Sequence, residues 1–168
     1  ALPNLVQLAI SQNHEGDAGA SALAAALGRG ALPRLMNLDL CMAAIGDAGL
    51  VALAPALRRL PALQKLYLSR NPLGDGGLAA LVAPPPTAGS PKGGLTMLKE
   101  LLLNCTQVSD AGCATLAAAL DSGTLPMLKQ IELLRIPASD AAIAAVWDAI
   151  PRYPGAPVGD SAGAGPVA

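Results

Sequence analysis

Residues 35–57, Leu35-Met36-Asn37-Leu38-Asp39-Leu40-Cys41-Met42-Ala43-Ala44-Ile45-Gly46-Asp47-Ala48-Gly49-Leu50-Val51-Ala52-Leu53-Ala54-Pro55-Ala56-Leu57, change their hydrophobic period halfway along. Leu38 and Leu40 lie two apart, which puts both on one face of a short strand. Leu50, Leu53 and Leu57 come next at offsets of three and seven, which line one face of a helix. Gly46 stands where an N-cap is favoured, and Asp47 in the first turn complements the helix dipole. The stretch is one strand–turn–helix unit, too small to bury its own apolar side.

The unit recurs five times. Its first register leucines are Leu5, Leu35, Leu63, Leu98 and Leu128, in steps of 30, 28, 35 and 30 residues. Three and five places on stand Leu8 and Ile10, Leu38 and Leu40, Leu66 and Leu68, Leu101 and Leu103, and Ile131 and Leu133. A small residue then precedes an aspartate each time, at Asp17, Asp47, Asp75, Asp110 and Asp140. One capping role accounts for all five aspartates without a metal or an acid–base pair. Helical spacing resumes at Ala20, Leu23 and Leu27 in the first unit, at Cys113, Leu116 and Leu120 in the fourth, and at Ile143, Val146 and Ile150 in the fifth. Units of this kind are stable only when stacked on one another.

The pattern LxxLxLxxN followed by xxGDxGxxxLAxAL resembles the leucine-rich repeat, specifically its long, ribonuclease-inhibitor-like subtype. The resemblance covers residues 1–150. It implies an α/β right-handed solenoid with a parallel β-sheet on the concave face and helices on the convex face. The first unit begins at once after Ala1, as in a piece of a longer array. The family's polar ladder position holds Asn13 and Asn71 only. Thr106 is a partial substitute, whereas Ala43 and Ile136 cannot bond a neighbouring turn, so those turns need another partner or are looser.

Two segments depart from the repeat. In the third unit the helix pattern of Leu78 and Leu81 runs into Pro84-Pro85-Pro86, and three prolines stop a helix. This predicts a shortened helix and a Pro/Gly-rich insertion at 84–94. Residues 151–168 are rich in Pro, Gly and Ala and read as a disordered tail or linker. The tail's Gly159-Asp160-Ser161-Ala162-Gly163 matches G-x-S-x-G formally, but no strand precedes it and His14 stands at the other end of the array.

Composition narrows the function classes. The chain has 35 alanines and 30 leucines but no Phe, one Trp and two Tyr, so its core is made of small aliphatic teeth. Eleven basic and twelve acidic residues leave no basic footprint for nucleic acid or an anionic membrane. Cys41, Cys105 and Cys113 fit neither a closed disulfide framework nor a zinc spacing, and they point to a reducing, cytoplasmic setting. Cys113 falls in the helix core column, and Trp147 is placed to cover the last unit's open side.

The side chains between the buried leucines point to the other face of the sheet. They form the columns Gln7, Asn37, Lys65, Glu100, Gln130 and Ala9, Asp39, Tyr67, Leu102, Glu132. A third column, Ser11, Cys41, Ser69, Asn104 and Leu134, is flanked by Gln12, Met42, Arg70, Cys105 and Arg135. These columns vary between units where the core columns do not, so folding does not dictate them. Tyr67 with Lys65 and Arg70 makes a central patch of residue types enriched in binding hot spots. The expected partner-binding residues are Asp39, Lys65, Tyr67, Arg70, Glu100, Leu102, Glu132 and Arg135.

The sequence therefore reads as a non-catalytic scaffold that binds a protein partner on the concave face. It needs no cofactor and takes no nucleic acid, membrane or small-molecule substrate. The resemblance leaves open a GTPase-activating protein of the Ran type, or a sensor or spacer segment of a larger multidomain protein.

Overall fold

The computed structural model describes residues 2–83 and 94–150. The tail assigned to 151–168 and the insertion assigned to 84–94, Gly94 apart, lie outside the described residues. Strands and helices alternate as β1 (Gln7–Ala9), α1 (Gly16–Gly28), β2 (Asn37–Asp39), α2 (Asp47–Leu57), β3 (Lys65–Tyr67), α3 (Asp75–Val82), β4 (Glu100–Leu102), α4 (Asp110–Asp121), β5 (Gln130–Glu132) and α5 (Asp140–Ala149). The strands form one parallel sheet in sequence order, open at both ends. Its register runs Gln7, Asn37, Lys65, Glu100, Gln130 across the sheet, and the Ala9-to-Glu132 column likewise falls in line. Each helix packs on the next. Neighbouring strands sit about 4.8 Å apart and neighbouring helices about 8–10 Å, so the stack curves with the sheet inside. The result is an α/β leucine-rich-repeat solenoid. Helix α3, ahead of the prolines, is the shortest at 8 residues. No described helix is long and apolar enough to cross a membrane.

The core lies between sheet and helices. In the second coil Leu35, Leu38, Leu50, Leu53 and Leu57 are completely buried, and Leu66, Leu68, Leu78, Leu101, Leu103 and Leu116 repeat this in the next two. Cys113 is buried among them as expected, and burial raises its thiol pKa. The first coil is looser, with Leu5, Leu8, Ile10 and Leu23 only partly covered. Two of its teeth are missing: Glu15 stands in the column of Ile45, Leu73 and Val108, and Ala20 in that of Leu50 and Leu78. Trp147 does not close the far end, for it stays 52% exposed while its neighbour Val146 is buried. Its position on the helix directs it outward, and Val146 takes the inward one.

The aspartates do more than complement their own helices. Asp17 Oδ1 accepts from Gly46 N at 2.7 Å, Asp47 Oδ1 from Gly74 N at 2.6 Å and Gly77 N at 3.0 Å, Asp75 Oδ1 from Ser109 N at 2.8 Å, and Asp110 Oδ1 from Ser139 N at 2.6 Å. Each carboxylate thus caps the helix of the following coil. Gly46, Gly74, Ser109 and Ser139 are the N-caps the sequence indicates, all extended. The first coil differs: its N-cap is Glu15, and Gly16 turns to φ +60° and donates instead to Ala43 O at 3.0 Å. Among the described residues no carboxylate reaches Gly16.

Gly49, Gly77 and Gly112 make room for this carboxylate, whereas Gly19 faces Glu15 of its own coil and the fifth coil carries Ala142 at this position. A Cβ on Gly112 would overlap Asp75 Oδ1 and come within 2.8 Å of Val108 Cγ1. Alanine is intrinsically better than glycine inside a helix by about 1 kcal/mol. Gly112→Ala is nevertheless expected to lower stability by about 1–3 kcal/mol, because the overpacked junction must open. Urea denaturation measures it, and a gain in stability would contradict the inter-coil role of Asp75.

The polar ladder is also clearer in three dimensions. Asn71, buried, accepts from Ala43 N and Ile45 N of the preceding coil and donates to Leu40 O and Leu68 O, at 2.8–3.1 Å. Thr106 satisfies only its own coil, at Leu103 O. Asn13 is exposed, and its amide makes no hydrogen bond among the described residues. It stands in the column that serves a preceding coil, and no described coil lies there.

Candidate functional site

Three-residue strands leave the chain little room, so the turn at the exit of each strand decides where the surface side chains go. Gln12, Met42, Arg70, Cys105 and Arg135 all adopt left-handed φ, between 54° and 64°. Such a backbone costs a non-glycine residue about 1–2 kcal/mol. Here it aims the N–H at the next coil: Gln12 N donates to Cys41 O, Met42 N to Ser69 O, Arg70 N to Asn104 O and Cys105 N to Leu134 O, at 2.7–3.1 Å. The same turn sends Arg70 and Arg135 outward at the strand-exit rim, both exposed.

At the middle of the sheet face, Lys65, Tyr67 and Glu100 meet across β3 and β4. Glu100 Oε1 pairs with Lys65 Nζ at 2.8 Å, and Tyr67 Oη donates to Glu100 Oε2 at 2.9 Å. The Lys65 hydrogen bond lowers the Glu100 pKa, with help from the Tyr67 hydroxyl, and Glu100 in turn raises that of Lys65. Burial first, and then the Glu100 contact, raise that of Tyr67. Because the folded-state pKa of Glu100 is depressed, its contribution is present above the usual carboxylate range and is lost as pH falls through the folded value. Acidification from neutral is therefore expected to release the Lys65 and Tyr67 side chains only below that range. An NMR titration of the Glu100 carboxyl checks this; a midpoint at or above the value of a free glutamate side chain would contradict the cluster.

A second polar knot lies beside it. Asn104 Nδ2 donates to Glu132 Oε2 at 2.6 Å, Leu134 N donates to Asn104 Oδ1 at 2.8 Å, and Gln130 Nε2 reaches Glu132 Oε1 at 3.2 Å. Asn104 holds Glu132 in place and escapes a reading of the sequence, where it is one polar residue in a mixed column. In the second coil Asp39 Oδ1 accepts from Cys41 N at 2.9 Å. Burial, and next the Asp39 carboxylate, push the Cys41 thiol up to about 11, so it is protonated and poorly nucleophilic at neutral pH.

Of the eight residues singled out in the sequence, Asp39, Lys65, Tyr67, Glu100, Leu102 and Glu132 lie on the sheet face and Arg70 and Arg135 at its strand-exit rim, and they form no single cluster. Lys65, Tyr67 and Glu100 are in contact, and Glu132 is fixed by Asn104. Leu102 lies half-buried between Tyr67 and Glu132 in the register. Arg70 joins neither the Tyr67 cluster nor, among the described residues, any ion pair, and Arg135 is placed the same way on its own turn. Leu134, 61% exposed, adds an apolar tip beside Arg135. The described residues hold no group of three or more His, Cys, Asp or Glu arranged to take a metal.

Known proteins place this geometry. A family profile described as Leucine Rich repeat matches residues 1–24, 60–82 and 94–117. No curated protein matches the sequence. Among solved structures, leiomodin-1 actin-binding site 2 superposes with a TM-score of 0.65 at 14% identity, over 88% of this chain and 80% of that one. At such low identity the likeness speaks for the fold. Leucine-rich repeats matched in coils one, three and four lie in one unbroken parallel stack of five, the fold of a leucine-rich-repeat solenoid.

Proposed function

We propose that the chain is a non-catalytic scaffold that binds a protein partner on the concave face of its sheet, centred on Tyr67. The observation that carries this is the division of labour between the two faces. Core columns repeat almost unchanged from coil to coil, while Asp39, Tyr67, Leu102 and Glu132 share one register column and differ in every coil. Backbone bonds, the Lys65–Glu100–Tyr67 cluster and the Asn104–Glu132 bond hold these side chains before any partner arrives. A preordered surface loses less conformational freedom on binding. Tyr67 at its centre and Arg70 at its rim are of the residue types that dominate measured interfaces. The 28- and 30-residue steps favour the long ribonuclease-inhibitor-like kind of coil, and three unpaired thiols fit a cytoplasmic setting.

Affinity capture with the intact chain, followed by calorimetry on the partner it retains, tests this. Tyr67→Ala combined with Arg70→Ala is expected to weaken binding about 100-fold or more while leaving the melting temperature within a degree or two. Unchanged affinity would refute the concave-face reading. Actin is a reasonable first ligand to try, because the superposed leiomodin segment is named as an actin-binding site. A GTPase turnover assay separates this scaffold from an activator of the Ran type, which alone accelerates hydrolysis.

A further inference from the structure

We propose that the edge of the solenoid where helices return to strands carries a second docking site, an apolar groove ringed by arginines that takes an acidic segment of a protein partner. The groove lies between the first and second coils, apart from the concave face. Because the strands are parallel and in sequence order, every helix-to-strand connection falls on one edge of the stack and every strand-to-helix connection on the other. The near-neutral total charge conceals how differently the two edges are charged. Of the nine basic residues among the described ones, six (Arg29, Arg34, Arg58, Arg59, Lys99 and Lys129) stand in helix-to-strand connections, which hold none of the eleven described acidic residues. The capping aspartates all lie in the first turns of their helices, at the opposite edge.

Four of the six are the arginines of the first two connections, and none of these forms an ion pair among the described residues. Arg58 is anchored through Nη1 to Ala83 O at 2.9 Å, and Arg34 Nη1 reaches Asn4 Oδ1 at 3.3 Å. Arg29 and Arg59 are exposed, and their guanidinium groups make no hydrogen bond among the described residues. Folding does not require arginine at these places. The residue after the helix is Arg29 in the first coil and Arg58 in the second, but Ala83 and Ser122 in the next two. One place further on, Arg59 is matched by Gly30 in the first coil and Gly123 in the fourth, and Arg34 is matched by Met97 and Met127.

Between these arginines the two connections enclose an open groove of about 190 Å³, walled by Leu27, Leu32, Pro33, Ala56, Leu60 and Pro61, with Arg59 on its lip. A Cβ on Gly28 or Gly30, which also line it, would meet nothing within 4 Å, so the groove is open on that side. Covering its apolar walls removes them from water. Guanidinium groups pair with carboxylates through two parallel hydrogen bonds, and a positive rim with no carboxylate of its own repels a basic partner and attracts an acidic one. The occupant that fits is a short stretch with one apolar residue for the groove and carboxylates on either side of it for the arginines.

Selection of a random displayed-peptide library on the intact chain tests the proposal. Recovered peptides are expected to be rich in aspartate and glutamate around one apolar residue. Adding such a synthetic peptide should shift the amide NMR signals of Gly30, Leu32, Arg59 and Leu60. Arg29→Glu combined with Arg59→Glu is expected to weaken its binding about tenfold or more, whereas Arg29→Lys with Arg59→Lys, which keeps the charge, should weaken it less. Neither side chain bonds anything in the described fold, so both double variants should keep the parent melting temperature. Tyr67→Ala, on the concave face, should leave the peptide bound as tightly as before, so loss of one surface is told apart from loss of the other. A selection that returns basic or uncharged peptides, or none that depends on Arg29 and Arg59, overturns the proposal. So does capture of phosphatidylserine vesicles or duplex DNA by these arginines with no acidic peptide recovered, or a mass that rises with chain concentration until Arg29 and Arg59 are reversed, since the occupant is then a membrane, a nucleic acid or a second copy.

Discussion

Asn71→Ala is expected to lower the stability of the array by about 3–5 kcal/mol. Asn71 is buried, and its amide ties two coils together through two accepted and two donated hydrogen bonds. Truncation leaves the Ala43 and Ile45 N–H groups unpaired in an apolar surround. Each such orphan costs about 1–3 kcal/mol, with the carbonyls of Leu40 and Leu68 adding to the loss. Asn71→Asp should be nearly as harmful, since a carboxylate has no N–H to give those carbonyls. Asn13 in the same column supplies the control. Asn13→Ala should shift stability by less than about 0.5 kcal/mol, because that amide makes no hydrogen bond among the described residues. Equilibrium urea denaturation of both variants checks the contrast. Equal effects would mean that column position, not inter-coil bonding, sets the cost.

Leu53→Ala is expected to cost about 2–5 kcal/mol through the cavity it leaves. Leu53 is fully buried on the inner face of α2, in a coil enclosed on both sides. Neighbours fixed by strand register and by the aspartate caps cannot easily collapse into the space. Val51, two positions earlier on the same helix, is 48% exposed, and Val51→Ala should be close to neutral. The half-buried Leu23 of the first coil should fall between them. Thermal and urea unfolding of the three variants rank them, and a Leu53→Ala loss under about 1 kcal/mol would show a core looser than this packing.

The strand register, the helix faces and the two outward columns are legible in the sequence because burial imposes a strict period on them. Leu38 and Leu40, or Leu50, Leu53 and Leu57, admit only one orientation toward a core. The aspartates are legible only in part. Their spacing fits a cap on their own helix, and only the stacking distance shows Asp47 reaching Gly74 and Gly77 of the next coil. The accompanying glycine reads as part of a pattern, whereas at Gly49, Gly77 and Gly112 a Cβ would take the space of that carboxylate. On the surface, membership of the sheet face is legible for Asp39, Lys65, Tyr67, Glu100, Leu102 and Glu132, but grouping is not. Arg70 looks like Tyr67's neighbour along the chain; the left-handed turn carries it to the rim, and Glu100, 33 residues away from Tyr67, takes the contact instead. Asn104 stays hidden because holding Glu132 depends on cross-strand distance, which a single sequence does not encode. Trp147 is expected to close the last coil, but Val146 holds the inward position there.

The central claim is that five coils lie side by side with parallel strands in matched register. Through-hydrogen-bond NMR couplings measure this directly. Couplings are predicted from Leu40 N to the Tyr67 carbonyl, from Leu68 N to the Leu102 carbonyl and from Leu103 N to the Glu132 carbonyl, whose N–O distance is 2.9 Å in each case. Couplings that instead connect these strands in antiparallel order, or a register displaced by one residue, would contradict it.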